Sequence, residues 1–149
     1  MDLSEIDRQW AMGILARAGT EQLVSAWDAW QPQPSFTWLR KPETGLVMVR
    51  GRMGGEGDAF NLGEMTVTRC AIVLDGGVVG HACTQGRSHR KAELAAVIDA
   101  LHQQPETRQE LRSKILAPLA ERLEAERSKR SQASEPTKVQ FFTRVRGED

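Results

Sequence analysis

The sequence predicts a single α+β domain, in which two N-terminal helices precede an antiparallel sheet, a central helix and charged C-terminal helices. Three observations carry this reading. Apolar residues recur at a helical period near both ends of the chain, and at period two between them. Asp75-Gly76-Gly77 separates two alternating runs, as a tight hairpin turn does. Helical and extended stretches come in blocks instead of alternating, which argues against a parallel, doubly wound sheet.

The elements follow in order. Leu3, Ile6, Trp10 and Ile14 form a stripe that predicts a helix over 3–17. Gly19 ends it, and Thr20 offers a cap for a second helix carrying Leu23, Val24, Trp27 and Trp30. Periodicity assigns Trp10, Trp27 and Trp30 to packed faces. Two prolines in Gln31-Pro32-Gln33-Pro34 stop helical structure, because each removes a donor and biases its predecessor to extended geometry.

From Ser35 the period is two. One strand is expected through Arg40, a turn at Lys41-Pro42-Glu43-Thr44-Gly45, and a second strand over 46–50. A glycine-rich segment, Gly51 to Gly57, leads to a strand over 65–74. The Asp-Gly-Gly turn, with successive positive φ angles, returns the chain through 78–85. Ser88 is then an N-cap, and Leu94, Val97, Ile98 and Leu101 mark the clearest helix of the chain. Pro105 opens another helix, and Pro118 either breaks it or starts a new segment at its first turn. The domain spans 1–149, with a flexible charged segment over about 121–137 and a last alternating strand over about 138–146.

The 149 residues carry 20 Lys+Arg against 20 Asp+Glu. A chain of this length buries roughly 70% of its unfolded surface, enough for one core. Zero formal net charge disfavours a non-specific nucleic-acid binder, which needs a basic excess to neutralise phosphates. No apolar run approaches a membrane span, and the first ten residues lack the basic and apolar regions of a signal peptide. Two cysteines are too few for a disulfide framework, so a reducing cytoplasm is expected.

No metal site is expected. Cys70 and Cys83 read as small core residues on paired strands, and His81, His89 and His102 form no ligand spacing. Three features are candidates for binding an anion. In Arg50-Gly51-Arg52-Met53-Gly54-Gly55-Glu56-Gly57, Arg52, Gly54 and Gly55 read either as a nest of exposed N–H groups with added charge or as a flexible hairpin loop. At Gly86, Arg87 and Ser88, four cations (Arg87, His89, Arg90 and Lys91) crowd a helix start where the dipole already disfavours positive charge. A phosphate or a partner's carboxylate would relieve that conflict; solvated surface charge is the other reading. Arg69 shares its alternation with Met65, Val67, Ala71 and Val73, which reads as the buried face, where it needs an anionic partner. At a sheet edge it would instead reach water.

Taken together, these segments resemble the PhnG subunit of the bacterial carbon–phosphorus lyase system. The resemblance is carried by Glu43-Thr44-Gly45-Leu46-Val47, by Arg52-Met53-Gly54-Gly55 with Gly57, and by Gly63 to Arg69. Gly86-Arg87, Ala92-Glu93, Ile98-Asp99-Ala100-Leu101 and the tail Phe141 to Gly147 extend it over essentially the whole chain. The chain departs from the pattern in having Lys91 where a histidine is expected, with His89 two residues earlier.

The resemblance implies a subunit that works with PhnH, PhnI, PhnJ and PhnL-like proteins in a hetero-oligomer holding more than one copy of it. The assembly displaces adenine from ATP with methylphosphonate, giving α-D-ribose 1-methylphosphonate 5-triphosphate. It further implies that Mg–ATP is a substrate of the complex, that this chain carries no cofactor, and that the catalytic residues lie on other subunits. The contrasting reading from the residues alone is a stand-alone enzyme or binding module for a phosphorylated ligand. An adaptor using Arg144 and Arg146 on nucleic acid is weakened by the neutral net charge.

Overall fold

A computed structural model describes residues 3–31 and 33–134. Its order is α1 (Leu3–Arg17), α2 (Thr20–Asp28), β1 (Phe36–Arg52), β2 (Ala59–Leu74), β3 (Val79–Gln85), α3 (His89–His102), α4 (Pro105–Leu111) and α5 (Ala117–Ser134). The strands form one antiparallel sheet in the order β1-β2-β3. The α+β class follows, with the predicted helices before, against and after the sheet.

Helix α3 is the centre of the molecule. Ala92, Leu94, Ala95, Ala96, Val97, Ile98, Ala100 and Leu101 are all buried, so no side of it faces water over most of its length. Its alanines allow close packing on β3, where Gly80 lies against Ala96 and Ala100. Buried beneath the helices on the sheet are Cys70, Ile72 and Leu74 of β2 and Ala82 of β3. Helix α2 contributes Leu23 and Trp27, with Trp30 following it, as the periodicity predicts.

Helix α1 turns differently from its predicted stripe. Ala11, Ile14, Leu15 and Ala18 are buried, whereas Ile6 is 47% exposed and Trp10 37%. The buried face thus combines two alanines with Ile14 and Leu15. Trp10 is covered on one side by the Arg112 guanidinium, 4.8 Å from its ring centre. Thr20 is the first residue of α2 instead of its cap; Gly19 holds the cap position, with no side-chain hydrogen bond.

Several predicted boundaries shift. Lys41 to Gly45 is not a turn: β1 runs unbroken, with register shifts between Trp38 and Arg40 and between Arg40 and Glu43. Pro42 falls at the second irregularity on an edge strand, where its missing N–H costs no ladder bond. In the β2–β3 hairpin only Gly77 has positive φ (84°); its N–H donates to the Leu74 carbonyl at 2.8 Å. This is a three-residue loop closed by one left-handed glycine. Pro118 lies in the first turn of a new segment: a single π-turn over Arg112–Leu116 separates α4 from α5 and accommodates the proline. Residues 121–134 of the charged segment continue α5 as helix, favoured by Ala, Leu, Glu and Arg and by an i,i+4 contact of Glu126 with Arg130 at 3.9 Å. Residues 135–137 and the predicted strand over 138–146 lie outside the described residues.

The buried His102 supplies a pH dependence. Its Nε2 lies 3.3 Å from an Asp7 carboxylate oxygen but makes no hydrogen bond. Burial pushes the imidazole below its ordinary value, against the opposing charge of Asp7. The unfolded chain therefore takes up this proton more readily than the native one. Stability is expected to fall as pH drops below about 6.5, and to level off once native His102 itself protonates. Urea midpoints between pH 7.5 and 5.5 should slope more steeply for the parent than for His102→Gln.

Candidate functional site

The predicted site residues occupy three separate places. The first is the tip of the β1–β2 ribbon. Met53–Gly55 forms one 3₁₀ turn with Gly54 at φ 61° and Gly55 at φ 87°. The Gly57 N–H donates to the Met53 carbonyl at 2.8 Å, and a Cβ at Gly57 would meet that same oxygen at 2.7 Å. Arg52 donates through Nη1 to the Gly57 carbonyl at 3.2 Å. The glycines thus build a defined turn, and Arg52 spends part of its donor capacity closing it.

The second place is the turn into α3. Gly86 has φ 89°, which explains the glycine. Its carbonyl accepts from Thr68 Oγ1 at 2.8 Å, and its N–H donates to the Thr66 carbonyl at 3.0 Å. Ser88 caps the helix as predicted, accepting from the Lys91 N–H at 3.2 Å. The four crowded cations separate. Lys91 is buried: its ammonium donates to the Ala16 carbonyl at 3.0 Å, closing the end of α1, and lies 3.5 Å from that of Gln85. Desolvation lowers its pKa. Arg90 pairs with Glu93 at 2.5 Å, and His89 Nε2 lies 3.2 Å from Thr44 Oγ1. Arg87 is left exposed.

Arg69 is the third place: it is not on a buried face but reaches water, though from the central strand and not from a sheet edge. The side of β2 that meets the helices carries Thr68, Cys70, Ile72 and Leu74; Arg69 is exposed on the opposite side, between Glu43 and Cys83 on the neighbouring strands. Both alternating sets of β2 are apolar enough to be buried, and only packing against α3 chooses between them. The same parity separates the cysteines. Cys83 opposite Arg69 is exposed, while Cys70 is buried with its thiol pushed up to about 11, chiefly by burial.

The glycine-rich tip does not converge on the α3 turn. Thr44 and Thr68 stand at that turn, and the ribbon runs eight β1 residues further to Arg52, about 26 Å at 3.3 Å per residue. Among the described residues no group of three His, Cys, Asp or Glu side chains could hold a metal ion. No described helix is long and apolar enough to cross a membrane.

What sequence reasoning missed is the support of α3. Asp99, 1% exposed, accepts two hydrogen bonds from Arg8, from Nε at 2.9 Å and from Nη2 at 2.8 Å, and a third from the His81 backbone N–H at 2.9 Å. The Arg8 pKa is raised, chiefly by that hydrogen bonding. A carboxylate inside an apolar helical stripe was the available signal. It also missed the apolar ribbon: Leu46, Met48, Met53, Phe60 and Leu62 are between 42% and 74% exposed.

The exposed features of the described residues include a cation at a capped helix start and an apolar two-stranded arm. Residues 6–147 match the family described as "Phosphonate metabolism protein PhnG", and the chain belongs to that family. It is 45% identical over 148 residues to the "Alpha-D-ribose 1-methylphosphonate 5-triphosphate synthase subunit PhnG" of Rhizobium meliloti (strain 1021), covering 99% of this chain and 94% of that protein.

Proposed function

We propose that this chain is a subunit of an α-D-ribose 1-methylphosphonate 5-triphosphate synthase. The observation that carries the reading is the 45% identity, over nearly the full length of both chains, to a protein bearing that subunit's name. In this reading the complex exchanges the adenine of Mg–ATP for methylphosphonate in the cytoplasm. PhnH, PhnI, PhnJ and PhnL-like proteins are its partners, and the chain serves assembly instead of supplying the reacting groups. The buried, up-shifted Cys70 thiol and the inward-turned Lys91 support that last point, because neither is presented to a substrate. The test is reconstitution. The partner subunits with this chain should release adenine from ATP in the presence of methylphosphonate; without it they should not. Equal rates in both mixtures would overturn the proposal.

Within this reading the Gly86–Ser88 turn holds an anion, and Arg87 is the cation free to meet it. Arg87→Ala is expected to cost about 1.5–3 kcal/mol, the size of a charge-assisted hydrogen bond. If the anion is a nucleotide phosphate, the variant complex assembles but requires more ATP. If it is a partner carboxylate, the loss appears in assembly. Titrating ATP against adenine release on purified variant complex separates the two.

A further inference from the structure

The β1–β2 ribbon outruns its own sheet. β3 pairs with β2 only from Val67 to Val73, so Leu46–Arg52 and Ala59–Thr66 continue as an arm that is two-stranded among the described residues. An isolated two-stranded ribbon is marginal in water, and its exposed edges invite pairing. Yet this arm is regular in register apart from one bulge, and closed at its tip by the built turn described above. It is a preformed element, so docking it would cost little ordering.

Its two faces differ. On one, Val47, Val49 and Met65 are half-buried against one another, and the Phe60 ring lies 3.6 Å from where a Gly51 Cβ would stand. The other face continues the side of the sheet that carries the helices, but reaches past them. There Leu46 and Met48 stand 59% and 52% exposed, followed outward by Arg50 and Arg52. Leu46 is one pleat beyond Thr44, which touches His89, so this face and the first turn of α3 form a corner. Arg87 lies at that turn, and Glu64, opposite Met48, is the acidic residue on this face. The corner combines an apolar wall with an excess of positive charge.

We infer that this corner is the seat of a partner subunit that presents apolar side chains flanked by carboxylates. The inference rests on the subunit reading above and adds to it the surface and the chemistry of the partner. Apolar contact with Leu46 and Met48 supplies affinity, and the arginines select an acidic rim.

The test uses the full chain co-expressed with the other, tagged synthase subunits, and measures how much of it copurifies. Leu46→Asp with Met48→Asp should lower recovery roughly 30-fold or more, as loss of an interface hot spot does, with an unchanged melting temperature because both side chains are exposed. Arg50→Glu with Arg52→Glu should also lower recovery, and should abolish the weakening by salt expected of the parent. Gln109→Asp, exposed on α4, should behave as the parent. Full recovery of both folded double variants would overturn the inference and leave the subunit reading standing. So would a parent that dimerises alone and an aspartate variant that is monomeric yet copurifies normally, which would assign the arm to a second copy. Failure of the parent itself to copurify would remove the subunit reading, and the inference with it.

Discussion

Replacing Asp99 with alanine is expected to destabilise the domain by about 2–4 kcal/mol, because the His81 N–H and the Arg8 guanidinium, one-third exposed and so partly rehydrated, lose their charged acceptor. The carboxylate links three elements: Arg8 of α1, the His81 N–H of β3 and its own helix α3, where Gln103 Nε2 is 3.5 Å from Oδ2. Its removal orphans both a guanidinium and a backbone donor. Thermal unfolding is the measurement, and a fall in Tm of about 10 °C is expected for a domain of this size. Asp99→Asn keeps an acceptor for His81 and should fall between parent and alanine variant. In a double-mutant cycle with Arg8→Ala, the two losses should be markedly non-additive, because each single change already breaks the same pair. Additive losses would show that α1 is held by packing alone.

Gly80→Ala should have an effect of similar order, about 3 kcal/mol, by a different mechanism. A Cβ there would press on the Ala96 carbonyl oxygen, and would stand 2.8 Å from Ala100 Cβ and 2.9 Å from its backbone nitrogen. None of these atoms belongs to a flexible side chain, so α3 as a whole must move away from β3. That movement also stretches the Asp99 bond to His81, one residue along. Gly80→Ala should therefore lower the denaturation midpoint more than Gly76→Ala, at a position where a Cβ meets open space. Equal midpoints would show that α3 has room to shift.

Several elements were legible because their causes are local. Leu94, Val97, Ile98 and Leu101 announce α3 by spacing, and Ser88 caps it. Asp75-Gly76-Gly77 announces the hairpin, although the number of left-handed residues in it was read too high. The lysine at position 91 shows where local reading ends. By sequence it belongs with the exposed cations of a first turn; in the fold its long side chain reaches the free carbonyl of Ala16 at the end of α1, a partner 75 residues away. The family resemblance likewise rested on motifs spread along the whole chain, which no local rule reproduces.

By itself, then, the amino-acid order determined the class of the fold, the placing of helices before and after the sheet, the central helix and the family. The structural features depend on periods, caps and turns acting over a few residues, the family on motifs spread along the whole chain. Tertiary structure alone decided which side of β2 is covered, and with it the exposure of Arg69 and the separation of Cys70 from Cys83. Alternation specifies two faces without saying which one a helix will meet. It also decided that Pro42 sits in a bulge and not a turn, that the glycine-rich tip lies far from the start of α3, and that Leu46 and Met48 stand uncovered. Each of these depends on how far one strand extends beyond its neighbour, a property of long-range pairing that no window of residues contains.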